Sequence, residues 1–255
     1  LEMAKLLADT GDEILLLEQL PYLGGRSVVD NIEIDGMPSY EWVQNVQEHF
    51  KKYPNLKTRK GIVAAGIYDH GYIIAHESVN NYEEGNNIPR ERLWRIRAKK
   101  IITATGAIEK PLVFSGNDIP GVMLASAGRD YLSLYGVSIG DRTVLVTNND
   151  NAYKSAIMLH EAGLTVSLII DTRREVLGDL PMYVESLGIE IRTSSAISRV
   201  LGSKYVEEVE ICNQAGEGSV LDKIECDTVL MSGGWNPVVH LWSHCGGKLD
   251  WDSEK

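Results

Sequence analysis

The chain has 255 residues, 44% of them hydrophobic and 24% charged, with 36 acidic against 25 basic side chains and a formal net charge of −11. This is the composition of an ordinary globular protein, long enough for one large or two modest domains at about 150 residues each. The acidic excess excludes non-specific nucleic-acid binding, which depends on neutralising phosphates. No apolar run approaches the ~20 residues of a membrane span, so no membrane contact is expected. Cys212, Cys226 and Cys245 form no Cys-x-x-Cys, which excludes a disulfide framework and dithiol chemistry on a flavin and fits a reducing, cytoplasmic setting.

Residues 1–9 read as a helix, Gly11 suits the position past its end, and residues 12–18 follow as a strand closing on Glu18. This is the second half of a βαβ dinucleotide-binding unit, in which an acid about 20 residues beyond a glycine-rich loop bonds the ribose hydroxyls. Glu18 sits where that acid belongs, and the loop itself is expected ahead of Leu1. Gly24, Gly25 and Arg26 come next, glycines there allowing a loop to pass close to a cofactor. Residues 32–34 read as a short strand, and 41–52 as an amphipathic helix with Trp42, Val46 and Phe50 on one face. An extended piece at 57–63, a hairpin over 67–74 turning at Gly71, and a strand-like run at 91–98 make a meander; 80–89 reads as a polar loop.

Residues 101–104 read as a buried strand running into a tight turn at Thr105 and Gly106, a small hydroxyl beside a residue that tolerates positive φ. A second unit of the same design follows: strand 143–147, helix 153–161 stopped by Gly163, and strand 165–171 ending on Asp171. Its strand-to-helix turn is Asn148-Asn-Asp-Asn151, without glycine. Asp150 places a negative charge where a pyrophosphate would sit, so this unit is expected to keep the fold rather than a dinucleotide. Arg173 and Arg174 suit a 2′-phosphate, but read better as solvated surface. Strands at 190–193, 205–212 and 224–232 complete the pattern, the last entering a glycine turn at Gly233 and Gly234 followed by Asn236.

No catalytic centre is legible. His240 and His244 stand at i and i+4 without an acid between them or a third ligand, against a metal site. The serines Ser126, Ser232 and Ser243 show no nucleophile-elbow pattern. Glu207 and Glu208 read as a solvated edge.

Several runs together resemble one family. They are Leu93-Trp-Arg-Ile-Arg-Ala-Lys99; Ala104-Thr-Gly-Ala107 with Glu109 and Pro111; Asn117-Asp118 with Pro120-Gly-Val-Met-Leu-Ala125; Tyr131-Leu and Tyr135-Gly-Val; Thr147-Asn-Asn-Asp150; and Met231-Ser-Gly-Gly-Trp-Asn-Pro-Val-Val-His240 with Gly246-Gly-Lys-Leu249 and Trp251-Asp252. They resemble the alpha subunit of heterotetrameric, tetrahydrofolate-dependent sarcosine oxidase, and cover nearly the whole chain. Alpha subunits of related dye-linked amino-acid dehydrogenases look similar.

The resemblance implies an α/β fold with two Rossmann-like three-layer lobes of the FAD/NAD(P)-binding type, the second inserted in the first. Residues 1–117 with 227–255 form the first, its initial strand and glycine loop expected ahead of Leu1, and 118–226 the second. The implied function is an amine oxidoreductase, taking sarcosine to glycine with one-carbon transfer to tetrahydrofolate and hydrogen peroxide formation. The alpha chain supplies a domain for NAD, with FAD as alternative, and is not active alone. A beta subunit and other subunits are the implied partners, with FMN or FAD in the partner. The cofactor-binding residues assigned on this reading are Glu18, Gly24, Gly25, Arg26, Thr105, Gly106, Gly233 and Asn236, with no catalytic or metal-binding residue in the chain. The competing readings are a non-catalytic assembly module of such a complex and a thioredoxin-reductase-like NAD(P)H:flavin oxidoreductase, the latter weakened by Asp150 and the missing Cys-x-x-Cys.

Overall fold

A computed structural model describes residues 1–30, 32–79, 88–213 and 219–251. Two compact units emerge, 1–106 with 237–255 and 107–236.

The first unit runs α1 (Glu2–Ala8), β1 (Ile14–Glu18), α2 (Arg26–Val29), β2 (Glu33–Ile34), β3 (Met37–Pro38), α3 (Ser39–Phe50), β4 (Leu56–Lys60), β5 (Ile62–Tyr68), β6 (Tyr72–Ser78) and β7 (Glu91–Arg97). β1 and β4 pair in parallel, Glu18 opposite Lys60. Helix α3 turns Trp42, Val43, Val46 and Phe50 inward, at the 3.6-residue spacing that makes one apolar stripe. These side chains meet Ala4 and Ala8 of α1, Leu23, Leu56, and Ile14 and Leu16 of β1. Each fully buried large side chain there is worth about 1.5–3 kcal/mol. β5, β6 and β7 form an antiparallel meander, whose first turn carries the left-handed residues His70 and Gly71. A Cβ on Gly71 would lie 2.0 Å from the Ala98 carbonyl oxygen, so only glycine fits that turn.

The second unit contains β8 (Ala107–Glu109), β9 (Val122–Leu124), α4 (Ala125–Tyr135), β10 (Arg142–Thr147), α5 (Tyr153–Glu161), β11 (Thr165–Asp171), α6 (Asp179–Ser186), β12 (Ile191–Arg192), β13 (Ser195–Gly202), β14 (Val206–Asn213), β15 (Asp222–Glu225), β16 (Thr228–Ser232) and β17 (Trp235–Pro237). Helix α7 (His240–His244) belongs to the first unit. A five-stranded parallel sheet has the order β12-β11-β10-β16-β9. Its strands are apolar on both faces, as a parallel sheet covered on two sides requires. Leu145, Ile169 and Leu230 point to α4, α5 and α6, packing on Tyr153, Ala156, Leu159 and Val184. Their sequence neighbours Val144, Val146, Leu168, Ile170, Val229 and Met231 point the other way. There they meet Ile197, Val200, Val206, Val209 and Ile211 of the antiparallel sheet β13-β14-β15. The result is three layers: helices, parallel sheet, antiparallel sheet.

The structure corrects several sequence expectations. Residues 101–104 join no ladder and Ile102 is 56% exposed. Among the described residues the parallel strands β1 and β4 pair only with each other, and an apolar run without a neighbour's N–H and C=O groups cannot become a sheet strand. The extended piece at 57–63 is broken at Gly61, with φ +72°, into strands of two different sheets. The run 224–232 divides at Cys226 and Asp227 because the Asp227 carboxylate turns back to accept from the Asp141 and Arg142 amides. Its second half, β16, pairs with β10 and β9, which puts 227–236 in the second unit, and 107–117 likewise. Glu207 and Glu208 lie in β14, the central strand of its sheet rather than an edge. Helices α4 and α6 and strand β13 have no counterpart in the sequence reading. The polar loop at 80–89 falls almost wholly outside the described residues.

Candidate functional site

In the first unit, Glu18 closes β1 and is partly buried. One carboxylate oxygen, Oε1, accepts the Leu20 amide at 2.9 Å. This bond fixes the side chain at the carboxyl end of a parallel strand and leaves Oε2 as an acceptor for further donors. Gly24 and Gly25 have φ +104° and +53°. They differ in what surrounds them: a Cβ on Gly24 would meet Val28 and Val43 at 2.8 Å, whereas one on Gly25 would meet nothing within 4 Å. Gly24 is therefore glycine for helix packing, and Gly25 for backbone conformation beside open space. Arg26 opens α2 and reaches Asp30 one turn on, at 2.9 Å.

Thr105 and Gly106 are stitched to the returning chain. The Thr105 hydroxyl donates to the Val238 carbonyl at 2.5 Å, and the Val238 amide donates to Gly106 O at 2.9 Å. The hydroxyl is thus committed to a structural bond, while the space over Gly106 (φ +68°) is open. Among the described residues no hydrogen bond joins this turn to Glu18 or Gly25.

The remaining two assigned residues, Gly233 and Asn236, lie in the second unit. Gly233 donates to Lys110 O at 2.7 Å, Lys110 donates to Gly234 O at 2.8 Å, and a Cβ on Gly233 would press on Pro111 O at 3.0 Å. Close backbone packing against 110–112 accounts for this glycine. Asn236 is exposed on β17.

The second unit also holds a polar cluster at the carboxyl ends of its parallel strands. Asp171, at the end of β11, is fully buried. Its Oδ1 accepts from Arg173 N (2.9 Å) and Nε (3.0 Å), and its Oδ2 from Arg173 Nη2 (2.7 Å) and the Tyr153 hydroxyl (2.8 Å). Arg173 Nη1 continues to Asp150 at 2.7 Å. Burial, then the Asp171 charge, raises the Tyr153 phenol above its ordinary range. The hydrogen bond to Asp171, followed by that to Asp150, holds the Arg173 guanidinium more firmly protonated than usual despite its partial burial. On the far side of the strand-to-helix turn the Asn149 amide nitrogen lies 3.0 Å from Ser232 Oγ and 3.2 Å from Thr147 Oγ1. Arg129, buried in α4, donates to Asn151 Oδ1 at 2.6 Å. Glu109, also buried, accepts the Ser126 amide in the first turn of α4 at 2.7 Å, an acid placed where the helix dipole favours it.

Sequence reading named Asp150, Asp171 and Arg173 singly, and missed that they form one network with Tyr153. The signal was available. An Asp-x-Arg at a strand end lets the guanidinium fold back on its own carboxylate, and Tyr153, the first residue of the helix that leads into this strand, faces the same point. Arg129 and Glu109 gave no such signal, since their burial depends on a helix the sequence reading did not find. His240 and His244 flank α7, with the His244 ring 5.6 Å from that of Tyr68. Among the described residues no three His, Cys, Asp or Glu side chains converge as a metal site would require. Burial, and then Asp227, pushes the Cys226 thiol up to about 12, which leaves it inert.

No family model matches the chain. Curated relatives do. It is 34% identical over 253 residues to the sarcosine oxidase subunit alpha of Rhizobium meliloti (strain 1021), spanning 96% of this chain and 24% of that protein. It is 32% identical over 264 residues to the sarcosine oxidase subunit alpha of Corynebacterium sp. (strain U-96), spanning 99% and 27%. The chain belongs with the sarcosine oxidase alpha subunits. It spans about a quarter of the length of these relatives. Among solved structures it is similar to a thioredoxin reductase from T. acidophilum (TM-score 0.69, 18% identity, 98% of this chain and 78% of that one). It is also similar to an L-proline dehydrogenase from P. horikoshii (TM-score 0.65, 22% identity, 98% and 43%). These likenesses establish the two-lobed α/β fold of FAD/NAD(P)-binding proteins for this sarcosine oxidase alpha relative.

Proposed function

We propose that the chain is the dinucleotide-binding region of the alpha subunit of an amine oxidoreductase that acts on sarcosine or a closely similar secondary amine. The carrying observation is the 32–34% identity to sarcosine oxidase alpha subunits along 96–99% of the chain. Its catalytic partner is a second subunit carrying FMN or FAD, and the full reaction delivers hydrogen peroxide and a one-carbon unit to tetrahydrofolate. NAD, or FAD in its place, belongs to the first unit. Glu18, with an oxygen to spare, would hold the ribose hydroxyls. The open backbone at Gly25 and Gly106 would admit polar cofactor groups, with Gly24, Arg26 and Thr105 holding those segments in shape. Gly233 and Asn236, assigned with them from the sequence, lie in the second unit, where backbone packing against 110–112 accounts for Gly233. The dinucleotide supplies the redox or structural chemistry, and these residues bind and orient it.

The test is to tag the full-length polypeptide in its native host, purify it with whatever copurifies, and assay sarcosine-dependent peroxide. The reading predicts a flavin-bearing partner in stoichiometric amount and peroxide formed with sarcosine. A polypeptide that purifies alone, or a complex that oxidises no secondary amine, overturns it. A purified complex with activity but no dinucleotide in this subunit would favour the assembly-module reading.

A further inference from the structure

The second unit has the topology of a nucleotide-binding lobe, and such lobes bind in the crevice outside the carboxyl ends of the strands where strand order reverses. In the order β12-β11-β10-β16-β9 that reversal lies between β10 and β16. Three features of a dinucleotide site are expected there: a glycine turn that lets phosphates reach backbone amides, a helix N-terminus free of negative charge, and an acid with free acceptors for a ribose. The residues present fit none of them.

We infer that the second unit is closed to dinucleotides by its own side chains, and that Asn149, Asp150 and Arg173 close it. Asn149 takes the place of the approach glycine. Its amide nitrogen spans the crevice itself, within 3.0–3.3 Å of Ser232 Oγ and O, Asn148 Oδ1 and Thr147 Oγ1, and its Oδ1 accepts the Asn151 amide at 3.1 Å. Asp150 sets a carboxylate at the N-terminal turn leading into α5, where a pyrophosphate would sit, and the Arg173 bridge at 2.7 Å holds it there. Asp171, the counterpart of the ribose-binding acid, offers nothing. A carboxylate has about four acceptor sites, and all four take bonds from Arg173 and Tyr153. Arg173, the cation placed to meet a 2′-phosphate, is spent holding two acids of its own chain. The unit keeps the shape of a nucleotide-binding lobe, with an internal ion network filling the ligand's place. This inference goes beyond the proposed amine oxidation and does not depend on it.

The experiment reads the second unit locally. Hydrogen exchange over residues 147–153 is followed in the full-length protein with NADPH, and separately with ADP-ribose, against the Asn149→Gly/Asp150→Gly double variant checked for native circular dichroism. The natural protein should show no change over 147–153 with either probe. The double variant should gain protection there, slowed about ten-fold when the probe stands at ten times its dissociation constant. Protection over 147–153 in the natural protein overturns the inference, and so does a natively folded double variant that gains none at millimolar probe. Loss of sarcosine oxidation leaves this readout untouched, so failure of the functional reading and failure of this one are distinguishable.

Discussion

Glu18 and Asp171 close equivalent strands in the two units, yet their surroundings set them to opposite tasks. Glu18 is partly exposed, accepts one backbone amide, and keeps an oxygen available. Asp171 has no exposure and accepts four hydrogen bonds from two side chains and one amide. The same step, parallel strand to acid, can end with a carboxylate oxygen left open or with a carboxylate tied into a structural knot. What decides is whether the next residues bring a guanidinium back onto the carboxylate. In the first unit the chain moves on through Leu20 to a glycine pair; in the second it places Arg173 two residues later.

The contrast can be broken by mutation. Asp171→Ala should be the most damaging single change, costing about 3–5 kcal/mol by stranding Arg173 and a buried phenol. Glu18→Ala, which loses one backbone hydrogen bond at a partly buried site, should cost only about 0.5–1.5 kcal/mol. Paired thermal denaturation curves measure this, and equal losses would erase the distinction. Tyr153→Phe removes one hydrogen bond to a buried carboxylate and should cost about 1.5–3 kcal/mol, read from the midpoint of urea unfolding. Thr143→Val sharpens the account from the other side. Thr143 is fully buried with no hydrogen-bond partner for its Oγ1 among the described residues, so the apolar isostere should stabilise by about 1 kcal/mol.

The smallest expected effect is acid sensitivity in the second unit. Lys223 holds Glu210, and Arg192 holds Asp222, below the usual carboxylate range. A carboxylate with a depressed folded pKa contributes stability above its unfolded value, near pH 4, and loses it as pH falls through the folded one. Asp222 is solvent-exposed and Glu210 is half-buried beside the exposed Lys223, so the loss below about pH 4 should be small, and the Asp222 part of it should fade in high salt. Lys223→Ala, followed by denaturation against pH, should flatten the Glu210 part of that slope.

Much of this was legible from sequence where a period or a terminator fixed the element. Tyr153–Glu161 and Thr165–Asp171 follow from an apolar stripe, Gly163 and β-branched density. The hairpin at Gly71 follows from its glycine. Residues 101–104 were misread because apolar patterning says a segment can be a strand, while pairing depends on distant neighbours. Helix α4 was missed because its sequence, with Ser126, Gly128 and Arg129 on the buried side, carries polar and small residues where an apolar stripe is expected. Arg129 and Glu109 are buried for hydrogen bonds to a turn and a helix end, which no local period encodes. At the candidate site, residue types were readable one by one. The four-way saturation of Asp171 was not, because it depends on where Arg173 and Tyr153 point.

Only the first unit is expected to take a dinucleotide. The most direct measurement is the number of dinucleotides bound per full-length polypeptide, by calorimetric titration of NAD into the natural protein and its Glu18→Ala variant. The account predicts a single equivalent, weakened about ten-fold or more in the variant by loss of a charge-assisted hydrogen bond. Two equivalents, or one that ignores Glu18 and vanishes with Arg173→Ala, would contradict it.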